Sequence, residues 1–127
     1  MGSVDEHITQ SKYNETALDF LIKNHEEDVD WIITIAFYYA LHVVQAKLQR
    51  DFNIDPKFHT HQNPKLNRKV CVFQNLPLKI SILYNNLYNE SMKARYAEHG
   101  VYRDHESYKK MEPLILRAKN DFHKLLS

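Results

Sequence analysis

The densest run of reactive side chains extends from Lys93 to His105 and reads Lys-Ala-Arg-Tyr-Ala-Glu-His-Gly-Val-Tyr-Arg-Asp-His. Arginine offers a forked donor that matches a phosphate, histidine exchanges a proton near pH 7, and tyrosine can stack on a base. Metal-free cleavage of RNA needs these groups: a base for the 2′-hydroxyl, an acid for the leaving oxygen and a cation for the pentacoordinate phosphate. The competing structural reading pairs Arg95 and Arg103 with Glu98 and Asp104 and packs Tyr96 and Tyr102 on the fold.

Other constellations are less complete. His59-Thr60-His61 presents two alternating imidazoles, but no third ligand lies nearby in sequence, so no metal site is expected. Glu26 and Glu27 precede a helix, where acidic side chains favour the dipole rather than acid-base chemistry. Cys71 sits among Val70, Val72 and Phe73, which predicts a packed thiol of raised pKa and not a nucleophile. Ser81, Ser91 and Ser107 have no glycine-rich elbow of the hydrolase kind. His42 follows Tyr38 and Tyr39 by one turn and points into the fold or toward its rim, as a hydrogen-bonded core histidine does.

The elements that must hold these groups are helices. Ser3 with Glu6 fits a capping box for a first helix over 4–24, in which Ala17, Leu18, Leu21 and Ile22 share a face. Asp28 is placed to cap a second helix reaching about Asp51, whose apolar residues run nearly all the way round it. The segment 52–63 loses periodicity. Asn63-Pro64 then predicts a cap and first turn for a short helix over about 64–74. Pro77 opens a third long helix ending between Tyr96 and Gly100, with Ile80, Leu83, Tyr84, Leu87, Ser91 and Ala94 on one face. Asp104 caps the last helix, striped by Tyr108, Met111, Ile115, Ala118, Phe122 and Leu125. Pro113 inside it predicts a kink or a late start. The fold class expected is all-α, a four-helix up-down bundle with an additional short helix. Its core should hold Trp31, Ile35, Tyr39, Leu83, Leu87, Ile115 and Phe122.

Composition bounds the function classes. The 127 residues make one domain, 1–127, with 43% hydrophobic residues to build a core. With 2 glycines and no phosphate-loop pattern, a P-loop or dinucleotide-binding turn is excluded, and no cofactor is expected. A net charge of +1 gives no global basic field, so nucleic acid would have to be met by a local patch. The single cysteine and the lack of a basic-then-apolar N-terminus predict a cytoplasmic protein. The apolar run from Trp31 to Val44, interrupted by Thr34 and His42, is shorter than a bilayer requires, so no membrane association is expected. The second helix is apolar on more faces than one small bundle covers, which predicts a homodimer.

One family pattern emerges from the order Asp30-Trp31, Ala36-Phe37-Tyr38-Tyr39-Ala40-Leu41-His42, the His59/His61 loop before Asn67-Arg68-Lys69-Val70, and Ser91-Met92-Lys93-Ala94-Arg95-Tyr96. Over about Leu18 to Tyr108 it resembles the HEPN superfamily, specifically its small stand-alone prokaryotic proteins. The resemblance implies a helical bundle, commonly dimeric. It further implies either a metal-independent endoribonuclease of a toxin or defence system or a non-catalytic module that binds nucleic acid, nucleotide or protein. An antitoxin or nucleotidyltransferase partner would accompany the toxin role. Catalytic members carry Arg and His separated by four to six residues. Here Arg95 and His99 are separated by three, with Tyr102 beyond them. The literal spacing at Arg117 and His123 falls in the last helix, where a six-residue step turns the side chains about 120° apart. The candidate catalytic pair is therefore Arg95 and His99, and the candidate substrate-binding residues are Tyr96, Tyr102, Arg103, Arg68, His61 and His42.

Overall fold

Local signals place the helices, and their apolar faces decide what covers what. The computed structural model describes residues 2–96 and 105–126, with side chains from Tyr108 onward in the second stretch. The described residues form five helices and no strand: α1 (Val4–Asn24), α2 (Val29–Phe52), α3 (Arg68–Asn75), α4 (Leu78–Tyr96) and α5 (His105–Leu125). His99, Tyr102, Arg103 and the proposed cap Asp104 lie outside the described residues.

The capping box at the head of α1 forms as expected, with Glu6 N donating to Ser3 Oγ and Ser3 N to Glu6 Oε1, both at 3.2 Å. Asp28 occupies the N-cap position of α2 but its side chain makes no capping bond. Its carboxylate instead lies 3.8 Å from His25 Nδ1. The short helix starts four residues later than Asn63-Pro64 suggests. Asn67, not Asn63, caps it by accepting from Val70 N at 2.9 Å, while Asn63 Oδ1 closes a two-residue turn onto Lys65 N. Two Asx signals four residues apart compete, and the first is consumed by its own turn. α5 shows no late start and continues through Pro113. Both Pro113 and Lys109, the carbonyl one turn earlier that loses its amide partner, face solvent, where water can take the missing donor's place.

α2 is the central element, touched by α1, α3, α4 and α5. The stripes on α4 and α5 are buried on it: Leu83, Tyr84, Leu87, Ile115, Ala118 and Phe122 are all in the core with Tyr39. Ile35 is only partly buried. Trp31 departs from the core expectation altogether, being 65% exposed. It sits in the first turn of α2 on the side turned away from the core, while Val29, Ile32 and Ile33 around it are fully buried. α2 is 24 residues long and apolar enough to cross a membrane by length and composition, longer than the run from Trp31 to Val44 suggests. Two thirds of its most apolar stretch is buried by the other helices. The apolar excess that predicted a homodimer is thus covered largely within one chain.

Candidate functional site

Arg95 lies in the last turn of α4 with its guanidinium turned back toward α2. Ser91, one turn earlier, anchors it: Nε donates to Ser91 O and one terminal nitrogen to Ser91 Oγ, both at 3.3 Å. The other terminal nitrogen donates to Tyr38 Oη at 2.9 Å, across the α2–α4 interface. The charge is ringed by aromatic faces, 5.8 Å from the Phe37 centroid and 5.5 Å from those of Tyr38 and Tyr96. Such placements favour a cation and hold it flat. Arg95 also lines an open cleft of about 200 Å³ with Asp30, Trp31, Thr34 and Ala94. Thr34 Oγ1 is turned onto Asp30 O, 2.8 Å away within α2. Tyr96, the final residue of α4, is 71% exposed. Its ring lies beside the guanidinium, while the cleft itself is lined by Asp30, Trp31, Thr34, Ala94 and Arg95.

A second polar cluster holds the other candidates. His42 Nδ1 lies 2.9 Å from His7 Nδ1, joining α2 to the first turn of α1. Burial, then the neighbouring His7 and Arg68 charges, holds the His42 pKa down at about 4, and burial also lowers that of His7. Both rings are therefore neutral at pH 7, one nitrogen donating to the other. His7 Nε2 is buried with no partner among the described residues.

Arg68 is buried and points inward. Its Nε donates to Gln45 Oε1 at 3.1 Å and a terminal nitrogen donates to Lys57 O. Gln45, almost completely buried in the middle of α2, is oriented by donating to Asp55 Oδ1 at 2.9 Å and Pro56 O at 3.0 Å. The guanidinium and this amide therefore stitch the 53–67 segment to α2.

The two loop histidines separate. His59 is buried, stacked on Tyr88 at 3.4 Å and 8°, with Nδ1 3.2 Å from Tyr84 Oη. Burial, then Lys69 and Arg68, lowers its pKa to about 4. His61 instead packs on Phe58 and accepts from Asn63 N at 3.1 Å. Three donor-bearing residues converge at His25, Glu27 and Asp28 among the described residues, all exposed at the α1–α2 turn. Cys71 is buried, and burial pushes its thiol up, as its neighbours predict.

Among the described residues no hydrogen bond or ring contact joins His42, His61 or Arg68 to Arg95. Phe37 is the bridge between the two regions, touching Arg95 on one side and Tyr84 and Tyr88 on the other. In the sequence, Phe37 and Tyr38 stand only as part of the family pattern, with no role at the site, and His7 and Gln45 are given no role; for Gln45 the legible signal is a glutamine inside an apolar helix. Against protein-family models, curated proteins and solved structures alike, the chain finds no match.

Proposed function

We propose that this chain is a HEPN-like up-down helical bundle of the cytoplasm that binds single-stranded RNA at the Arg95 cleft. One observation carries the reading: a guanidinium braced by Tyr38 and Ser91 opens onto a cleft whose wall is the exposed Trp31. A fixed cation attracts a phosphate, and exposed aromatic rings supply sequence-tolerant stacking for unpaired bases. The test is fluorescence anisotropy of a labelled 12-nucleotide single-stranded RNA at low salt with EDTA present. Arg95→Ala should weaken binding about tenfold or more, and binding should fall as salt rises. Binding that ignores both the substitution and the salt removes the reading.

A second reading, cleavage as a metal-independent endoribonuclease of a toxin or defence system, is favoured by His99 following Arg95 in the sequence, with Tyr102 and Arg103 beyond. In it Arg95 stabilises the phosphorane and His99 moves the proton, and an antitoxin or nucleotidyltransferase would restrain the activity. EDTA-resistant cleavage lost by about 10²-fold or more in His99→Ala, at unchanged melting temperature, selects this reading over binding alone. The homodimer stays a proposal drawn from the family resemblance. Light scattering that returns about the 15.2 kDa monomer mass rejects it.

A further inference from the structure

Trp31 is a large aromatic side chain left 65% exposed on the most apolar helix of the fold, in the same cleft as Arg95. Tyr96 is a second, 71% exposed, and its ring lies 5.5 Å from the Arg95 guanidinium. The two rings come from different elements, Trp31 from the start of α2 and Tyr96 from the end of α4; Arg95 shares the cleft with Trp31 and has the Tyr96 ring beside it. A phosphodiester has the same composition: one anionic centre between two nucleosides. From this match we infer that the ligand of the cleft is an unpaired dinucleotide step, its phosphodiester on Arg95 and its two bases on Trp31 and Tyr96.

The inference rests on the RNA-binding reading and narrows it in two directions. A mononucleotide can engage the cation and only one ring. A duplex buries the faces of its bases against their neighbours and offers edges and phosphates alone, so neither ring could be used. Thr34 and Ala94 are the small residues lining the cleft with Asp30, Trp31 and Arg95. Phe37 and Tyr38 also lie against Arg95, 5.8 and 5.5 Å from its guanidinium, and Arg95 borders the cleft beside Asp30.

Trp31 is the only tryptophan of the chain, so tryptophan emission reports the surroundings of this cleft. The experiment titrates the full chain with AMP, with the ribodinucleotide ApA and with a blunt RNA duplex, reading Trp31 quenching. ApA is expected to half-saturate at a concentration about tenfold or more below AMP, with the duplex leaving the emission unchanged, because each stacked base adds substantially to affinity. Tyr96→Ala keeps the reporter and should bring ApA to within about twofold of AMP while AMP quenching persists. Trp31→Ala, followed by anisotropy of labelled single-stranded RNA, should weaken binding about tenfold at an unchanged melting temperature.

ApA and AMP quenching alike, with no effect of Tyr96→Ala, overturns the dinucleotide inference and leaves RNA binding standing. Failure of AMP, ApA and the 12-nucleotide strand to bind at all removes both. Emission that shifts with protein concentration before any ligand is added shows Trp31 covered by a second copy of the chain, and this too overturns the inference.

Discussion

Tyr38 Oη lies 2.9 Å from a terminal nitrogen of Arg95, 57 residues away, so α2 joins Ser91 of α4 in holding the guanidinium. Tyr38→Phe keeps the ring beneath the charge and deletes the acceptor. The expected result is a loss of RNA affinity of about threefold to tenfold, with stability lowered by about 1 kcal/mol. Anisotropy and a thermal melt on the same variant check it. An effect as large as that of Arg95→Ala would mean the tyrosine hydroxyl itself meets the ligand.

Arg68 should behave as a structural cation. Arg68→Ala strands Gln45 Oε1 and the Lys57 carbonyl in the interior, and a loss of about 3 kcal/mol is expected from breaking a buried charged network. RNA affinity measured well below the lowered melting temperature should stay within about twofold of wild type. A selective loss of binding at unchanged stability would return Arg68 to the substrate surface.

Acid should loosen this fold before its carboxylates titrate. His42 and His59 have folded pKa values of about 4 and His7 is shifted the same way, while unfolded histidine titrates near 6.5. Between those values the unfolded chain holds more protons than the folded one. Stability is therefore complete above about pH 6.5 and is lost progressively as pH falls toward 4. The buried His59 alone contributes at most about 1.4 kcal/mol per pH unit in that window. Melting temperatures from pH 7.5 to 4.5 should fall steadily below 6.5, and His59→Phe, which retains a ring against Tyr88, should flatten the slope. A melting temperature constant from pH 7 to pH 5 contradicts the neutral, buried state of these rings.

The caps of α3 can be told apart by substitution. Asn67 accepts from Val70 N and donates to His61 O at 2.9 Å, so Asn67→Ala removes a cap and a loop tie together. It should cost about 1–2 kcal/mol, against about 0.5 kcal/mol or less for Asn63→Ala, whose side chain serves an exposed turn. Chemical denaturation of the two variants gives the comparison. Equal losses would place the cap where Asn63-Pro64 suggests it.

Helix periodicity is a local property, and the sequence by itself determined what depends on it. The capping box bounded α1, the stripe from Ile80 to Ala94 defined the inner face of α4, and that from Tyr108 to Leu125 defined the inner face of α5. These follow because a 3.6-residue repeat states which side chains share a face without reference to the partner. The tertiary structure alone decided how much of α2 is covered, because an all-apolar helix carries no mark of where its neighbours stop. Which side of α2 the neighbours cover left Trp31 outside beside the fully buried Val29, Ile32 and Ile33, and Ile35 only partly buried. Packing also decided what each polar group meets: His7 with His42, 35 residues apart, Arg68 with Gln45, and Arg95 with Tyr38. A residue type fixes which bonds a side chain can make. Only the arrangement of helices around α2 fixes the partner, and with it whether an arginine is a buried tie like Arg68 or borders an open cleft like Arg95.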